Sequence, residues 1–276
     1  MMRGSREMAV AVRAPSQQIV IHTQPLNAIY RGPVARLPFV RGLLGLWDAL
    51  GLGWQSLSFS ANVAAGEEFK FEGPTAWGTL ALSVAFSLGL FFLLPAAAAQ
   101  WGEAWLGINS WVGNLLEGVL RLGLIIIYLW LISYLPDIRR LFGYHGAEHK
   151  TINAFEAGAE LTPANVARFP LEHPRCGTAF LLTVALVSIV LFGLLGPLPL
   201  WARLASRLVL IPVIAGIAFE YIRFTARHLE NPLVRALVAP NLLLQRLTTR
   251  QPDEHMLEVA IAAFNTMRAR ETAPVP

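Results

Sequence analysis

The stretch that decides the fold is Trp77–Ala99, WGTLALSVAFSLGLFFLLPAAAA, in which no residue is charged. A helix needs about 20 apolar residues to cross roughly 30 Å of hydrocarbon, so this stretch predicts a transmembrane helix. Three further stretches of similar length and composition predict further spans: Leu115–Leu135, Thr178–Leu200 and Leu204–Phe224. The sequence therefore predicts an α-helical integral membrane protein with about four transmembrane helices.

The composition of the whole chain points the same way. Of its 276 residues 55% are hydrophobic and 14% are charged, whereas soluble domains carry about 25% charged residues. The net charge of +4 comes from basic residues that form no dense block, so we expect a lipid bilayer as partner and no nucleic acid. The single cysteine, Cys176, excludes an internal disulfide and suits a reducing compartment.

The distribution of basic residues predicts the orientation in the membrane. Cytoplasmic loops carry an excess of Lys and Arg, and Gln100–Asn114 contains neither. Nearly all of the basic residues fall in three segments: 1–76, 136–177 and 225–276. We therefore expect an inner-membrane protein with both termini and the middle loop in the cytoplasm. Arg203 and Arg207 are the contrary observation, since this arrangement places them on the opposite side.

Six segments follow from these boundaries. They are a cytoplasmic β-hairpin segment (1–36), an interfacial or re-entrant helical segment (37–76), a first transmembrane hairpin (77–135), a cytoplasmic loop (136–177), a second transmembrane hairpin (178–224) and a cytoplasmic helical tail (225–276).

Ala9–Thr23 alternates apolar and polar residues around a Pro-Ser turn, which predicts the hairpin. Leu37–Phe59 is apolar but interrupted by glycines, so it enters the interface or packs on the small sheet. Asp253–Arg268 has amphipathic helical spacing. The cytoplasmic portion is therefore α+β.

The pattern His145-Gly-Ala-Glu148-His149 is the strongest chemical signal in the chain. On a helix its two histidines lie four residues apart and share one face. Two imidazoles on one face can bind a single Zn²⁺, and the carboxylate between them can accept a proton from water, as in the inverted zincin arrangement. The pattern predicts a metal site with His145 and His149 as ligands and Glu148 as the catalytic base.

Further ligands lie downstream of this pattern. Glu156 follows one to two turns along the predicted helix, which we expect to stop at Gly158. His173 and Cys176 belong to HPRCGT, a turn before the third predicted span, and both residue types are good zinc donors. Imidazole and thiolate ligands favour zinc as the divalent ion. Which of these residues completes the site is left open.

Three functions remain compatible with these residues. The first is a zinc-dependent hydrolase of unknown substrate at the cytoplasmic membrane face. The second is a non-catalytic structural or regulatory membrane protein, because a site closed by both His and Cys is typical of structural zinc, and because adjacent His and Glu also occur on plain solvated helix faces. The third is a transporter. The sequence does not indicate an oligomeric state.

The transporter hypothesis depends on ionisable residues inside the predicted spans: Glu117, Arg121, Glu220 and Arg223. Such residues are costly in a membrane and commonly mark a substrate or ion route. All four lie near the ends of the spans, where a structural Glu–Arg pair or snorkelling accounts for them. We favour that account over transport.

Four runs of sequence carry a family resemblance. They are MMRG at Met1–Gly4, HGAEHKTINAFEAG at His145–Gly158, HPRCGT at His173–Thr178 and LQRLTTRQPDEHMLEVAIAAF at Leu244–Phe264. Together they resemble the YqhQ-like family of bacterial membrane proteins, a domain of unknown function often labelled a predicted metal-dependent enzyme.

The resemblance covers nearly the whole chain and implies a multi-span membrane protein without implying a reaction. It also implies a metal site at the matching positions, which are Glu148, His149, His173 and Cys176. Members of the family usually carry a Gly-rich stretch similar to GGQAVMEGV before MMRG. We therefore expect an upstream extension that pairs with the Ala9–Val12 strand.

Overall fold

A computed structural model shows a mostly helical chain with one small antiparallel sheet. It describes residues 1–30, 32, 37–65, 73–174 and 176–272. The strands are β1 (Met2–Arg3), β2 (Glu7–Arg13) and β3 (Ile19–Pro25). The helices are α1 (Val40–Ala65), α2 (Gly73–Leu88), α3 (Leu94–Leu106), α4 (Ser110–Ile132), α5 (Pro136–Glu156), α6 (Pro163–Val166), α7 (Thr178–Leu194), α8 (Leu200–Val209), α9 (Ile211–Arg227), α10 (Pro232–Thr248) and α11 (Glu254–Thr272).

The chain forms two compact units, and each is built from separate stretches of sequence. The first unit comprises Met1–Ala76, Ser133–His173 and Gln245–Pro276. The second unit comprises Trp77–Ile132 and Pro174–Leu244. All strands and the HxxEH pattern belong to the first unit, and the most apolar helices belong to the second.

The predicted hairpin is confirmed in the first unit. Strands β2 and β3 pair antiparallel, and the Ala14 N–H donates to the Gln18 carbonyl at 2.9 Å across the Pro-Ser turn. Gln17 takes the left-handed conformation that closes this turn, with φ of 68°. Strand β1, which the sequence analysis did not predict, adds Met2 opposite Ala9. The upstream extension stays a prediction.

Helix α1 accounts for the Gly-interrupted stretch Leu37–Phe59. The helix is continuous through its glycines, and Leu52 packs with Met8, Val10 and Leu26 in a buried cluster. The carboxylate of Asp48, although on an apolar helix, is buried and lies 2.6 Å from the Arg3 guanidinium. These contacts support the interpretation of this stretch as a helix packed over the sheet. Residues 66–72 of the segment 37–76 lie outside the described residues.

The predicted amphipathic helix near the C-terminus is confirmed as α11. The Asp253 side chain accepts a hydrogen bond from the Met256 N–H at 2.8 Å and so caps its first turn. Its apolar face, which includes Leu257, Ile261 and Phe264, forms the core of the first unit together with α5 and the sheet. This core holds α5, and therefore the HxxEH pattern, against α11, which also packs on the sheet.

One carboxylate at the end of α11 binds the residues that directly follow the MMRG run. Glu271 accepts hydrogen bonds from the Arg6 N–H at 2.6 Å, the Ser5 hydroxyl at 2.7 Å and the Glu7 N–H at 2.9 Å. A side chain at Gly4 would meet this carboxylate and the Met267 sulfur, so the carboxylate would have to move from its present position. Burial alone would raise the pKa of Glu271, but the three hydrogen bonds and the charge of Arg6 outweigh it and lower the pKa.

Among the described residues, two continuous helices are long and apolar enough to cross a membrane, Gly73–Leu106 and Ser110–Ile132. The first contains the predicted span Trp77–Ala99 and passes through a π-helical stretch at Gly89–Leu93. The second contains most of the predicted span Leu115–Leu135 but ends at Ile132. The boundary was wrong because Pro136 cannot continue a helix and begins α5 instead.

The two later predicted spans differ from the structure. The helix within Thr178–Leu200 ends at Leu194, because Gly196 takes a positive φ of 67° before two prolines. The stretch Leu204–Phe224 is divided between α8 and α9, which meet at 46° where Pro212 starts the second helix. Counting that bent pair as one span gives up to three candidate spans among the described residues. The prediction of four spans is therefore not confirmed.

Buried charges stabilise the helices of the second unit. Glu117 accepts hydrogen bonds from Arg121 at 2.6 Å and from Arg207 at 2.5 Å, and all three side chains are nearly inaccessible. Arg203 pairs with Glu103 at 2.7 Å. The predicted Glu–Arg pair is confirmed. Arg203 and Arg207, the exceptions to the predicted orientation, are buried partners of carboxylates rather than loop charges.

Replacement of Glu271 by Gln tests the role of this carboxylate. Because folding lowers its pKa, the stabilisation is fully present above the ordinary value of 4.5 and is lost as the pH falls through the lower folded pKa. We expect Glu271→Gln to lower the free energy of unfolding at pH 7 by about 1 kcal/mol, allowing for partial exposure. Denaturant unfolding at pH 7 and below pH 4 measures the difference, which should shrink in acid.

Glu160→Gln is the matched control, since Glu160 is exposed in the same unit. It should leave stability unchanged at both pH values. A Glu271→Gln protein as stable as wild type at pH 7 would contradict the account of this carboxylate.

Candidate metal centre

Helix α5 places the HxxEH pattern as the sequence predicts. It begins with Pro136 in its first turn and is followed by Gly158, whose φ of 71° ends it at the predicted stop. The rings of His145 and His149 lie edge to face with centroids 4.4 Å apart. One ligand nitrogen of each ring lies within 4.8 Å of a ligand nitrogen of the other. The helix therefore brings the two histidines together.

Both histidines are held by the same type of hydrogen bond. His145 Nδ1 lies 2.8 Å from the Thr248 carbonyl oxygen, and His149 Nδ1 lies 2.5 Å from the Leu171 carbonyl oxygen. Since a carbonyl only accepts, Nδ1 of each neutral ring carries the proton and Nε2 carries the lone pair. Histidines that bind metals are oriented in this way by carbonyl or carboxylate partners.

His173 joins the pair, and its backbone is fixed by Gln245. The amide of Gln245 accepts from the His173 N–H at 3.0 Å and donates to the His173 carbonyl at 2.9 Å. The ring of His173 lies with its centroid 5.9 Å from that of His149. Its Nε2 is 3.5 Å from the carboxylate of Glu156. Two predicted ligands, His173 and Glu156, therefore contact each other beside the HxxEH histidines.

The spacing of the His145 and His149 rings suits one shared metal ion. A tetrahedral zinc with Zn–N bonds of about 2.0–2.1 Å places the centroids of neighbouring imidazole rings about 5 Å apart. The observed separations of 4.4 and 5.9 Å lie on either side of that value. His149 and His173 are buried, so their imidazoles are not ordinary solvated surface groups.

Glu148 and Cys176 are the two remaining predicted site residues. Glu148 is partly exposed on α5, and its carboxylate lies 4.0 Å from the α-amino group of Met1. Cys176 belongs to the second unit, where it is buried and its sulfur lies 3.1 Å from the Thr178 hydroxyl oxygen. Arg175, between the HPRCGT ligands, lies outside the described residues. The roles of Glu148 as base and of Cys176 as ligand stay predictions.

Two residues that the sequence analysis passed over hold the segment that leads to His173. Lys150 Nζ donates to the carbonyls of Ala167 and Phe169 at 2.8 and 2.5 Å. The Asn153 amide donates to the carbonyls of Pro170 and Glu172 at 3.0 and 3.1 Å. Burial lowers the pKa of Lys150. Both residues follow His149 within the HKTIN run, on the same helix as the two histidines. That position was the sequence signal that could have identified them.

Gly146 explains why the pattern has a glycine after its first histidine. A side chain there would collide with the carbonyl oxygen of Arg250 and would lie 2.8 Å from Leu171. The same backbone is tied to α5, because the Arg250 N–H donates to the Phe142 carbonyl at 2.9 Å. The close approach of these backbones sets the position of Thr248, the partner of His145.

Comparison with known proteins identifies a family for the chain but adds no reaction. Residues 37–270 match the family described as Protein of unknown function (DUF1385). The chain belongs to the DUF1385 family. It is 34% identical over 248 residues to the uncharacterized protein YqhQ of Bacillus subtilis (strain 168), covering 85% of this chain and 78% of that protein. The predicted resemblance to the YqhQ-like family is confirmed. No solved structure matches the chain.

Replacement of Gly146 by Ala tests the close backbone approach in this DUF1385 member. Because the collision is with rigid backbone, we expect a loss of about 2–3 kcal/mol in the free energy of unfolding. Gly143→Ala is the control on the same helix, since its new methyl group would meet the flexible Met256 sulfur at 2.6 Å. Its cost should be smaller. Thermal unfolding followed by circular dichroism compares the two, and equal stability of both variants would contradict the packing.

Proposed function

We propose that the chain is a membrane-bound zinc-dependent hydrolase whose ion is held by His145, His149 and His173. The main support is the pair of Nδ1 bonds to the carbonyls of Thr248 and Leu171, which direct the Nε2 lone pairs of two adjacent rings. Three protein ligands with a further open position are typical of catalytic zinc. The substrate is not part of the proposal.

Each residue has a chemical role in this proposal. Bound zinc supplies a Lewis acid that polarises a carbonyl or phosphoryl oxygen of the substrate. Glu148 adjoins His149 on α5 and is partly exposed, so its carboxylate can take a proton from water and return it to solvent. Glu156 contacts His173 at 3.5 Å and orients that imidazole as a carboxylate partner.

A structural metal site is the second candidate. His149, Lys150 and Asn153 bind the backbone carbonyls of residues 167–172, so α5 also fixes the position of this segment. Cys176 as a fourth ligand would close the coordination shell, as in structural zinc sites. The protein would then be a structural or regulatory membrane factor.

We place the protein in the inner membrane with both termini in the cytoplasm. The support is the absence of Lys and Arg from Gln100–Asn114, together with the two or three candidate spans. Transport has less support, because the side chain of Arg121 is satisfied by Glu117, Ser188 and the Phe91 carbonyl. These bonds hold the guanidinium within the protein, as expected of a structural charge pair.

Metal content tests the proposal most directly. Protein purified without chelators should carry about one zinc ion per chain. His149→Ala removes one of three imidazole ligands and should abolish stoichiometric zinc, measured by elemental analysis against protein concentration. Membrane insertion should persist, since the apolar helices form their backbone hydrogen bonds without the ion.

Two controls separate loss of a ligand from loss of structure. Asn153→Ala loosens the same loop without removing a ligand, and His255→Ala removes an exposed histidine of α11; both should keep their zinc. Wild-type protein that remains free of metal after attempted reconstitution would end both the hydrolase and the structural-metal proposals. The histidines would then be a polar packing cluster.

Two further variants distinguish catalytic from structural metal. Glu148→Gln should keep its zinc if the carboxylate is a base, and should lose it if the carboxylate is a ligand. Cys176→Ala should keep its zinc if three histidines suffice. In the cobalt-substituted protein, an added anion such as azide should change the visible spectrum only when a coordination position is open. An unchanged spectrum, with zinc lost in Cys176→Ala, would favour the structural site.

Reporter fusions test the proposed orientation. A fusion after Glu160 should be active with a cytoplasmic reporter such as green fluorescent protein. A fusion after Asn109 should be active with alkaline phosphatase, which folds only outside the cytoplasm. The reverse pattern would overturn the orientation and move the proposed metal site to another compartment.

A further inference from the structure

A basic cavity of about 660 Å³ lies in the first unit, at the start of α5. Three guanidinium groups line it, from Arg139, Arg140 and Arg250, together with Tyr134 and Gln251. No carboxylate lines it among the residues that the structure describes. Its size is in the range of about 300–1,000 Å³ that is typical of ligand sites. The cavity therefore concentrates positive charge in a space that a small molecule can enter.

Arg250 is fixed in this cavity by its backbone. Its N–H donates to the Phe142 carbonyl at 2.9 Å, and its carbonyl oxygen packs against Gly146, where no side chain fits. Its guanidinium donates to the Ser133 hydroxyl at 3.3 Å. Within the described residues, none of the three arginines forms an ion pair with a carboxylate. The positive charges of this cavity are thus held together without internal neutralisation.

The position of Arg139 and Arg140 increases this positive potential. Both lie near the N-terminus of α5, where the helix dipole is positive and cations are unfavourable. Asp137 in the first turn offsets part of this charge, but it does not line the cavity. Two adjacent cations at this end of a helix reduce folding stability unless an anion accompanies them.

We propose that this cavity binds an anionic phosphate group. Guanidinium groups bind phosphate oxygens through paired, charge-assisted hydrogen bonds, and the start of a helix adds its own positive potential. Tyr134 follows the candidate span Ser110–Ile132 by two residues, and tyrosine is enriched where spans meet the headgroup layer. In the proposed membrane setting, the phosphate is therefore that of a lipid headgroup. The binding itself does not depend on the metal centre.

The experiment uses the full chain in neutral detergent micelles and measures the midpoint of thermal unfolding. Phosphatidylglycerol added to the micelles should raise the midpoint of the wild-type protein, and phosphatidylcholine should not. Arg139→Gln/Arg140→Gln should weaken the apparent affinity for phosphatidylglycerol on the order of tenfold or more. The control Arg268→Gln/Arg270→Gln has the same change of charge on exposed arginines of α11 and should respond as the wild type does.

Inorganic phosphate identifies the source of the ligand. A rise in the midpoint with phosphatidylglycerol alone assigns the site to a lipid headgroup, and a rise with inorganic phosphate as well assigns it to a soluble phosphate compound. Without any ligand, the Arg139→Gln/Arg140→Gln protein should be at least as stable as wild type, because two cations leave the positive end of α5. No rise in the wild type, or an equal rise in the cavity variant, would overturn the proposal.

Discussion

Side chains on one face of α5 bind the backbone carbonyls of residues 167–172, and the candidate metal centre depends on this contact. His149, Lys150 and Asn153 together donate to five of these carbonyls. Residues 167–172 form no helix or strand, so their carbonyls need partners from elsewhere. Because helix α5 supplies them, the chain is carried to His173, whose ring lies beside that of His149.

The same contact gives His149 two roles, and any substitution of this residue removes both of them. Its Nδ1 bond to Leu171 positions the loop, and that bond also fixes the tautomer in which Nε2 can bind a metal. Loss of the imidazole therefore removes a ligand and a structural hydrogen bond together. Asn153 provides the comparison that separates these effects, because its amide binds the loop and cannot serve as a strong zinc ligand.

In the second unit, too, polar groups are bonded by side chains from another segment, but there the groups are charged side chains rather than backbone carbonyls. Burial of Glu117 without partners would be very costly, and Arg121 and Arg207 balance it from two different helices. The ring of Phe192 packs against the guanidinium group of Arg207 at 4.2 Å. Such a network ties α4 to α8 through one carboxylate.

The sequence by itself determined the features that rest on local periodicity and local chemistry. These include the apolar helices, the β-hairpin, α11 and the placing of His145 and His149 on one helical face, because spacing along the chain decides all of them.

Tertiary structure decided which distant groups meet. Lys150 and Asn153 bind carbonyls about 20 residues away along the chain, Gly146 makes room for the backbone of Arg250, and Gln245 holds His173. No pattern of neighbouring residues encodes these contacts, since their partners come together only when separate stretches of chain pack.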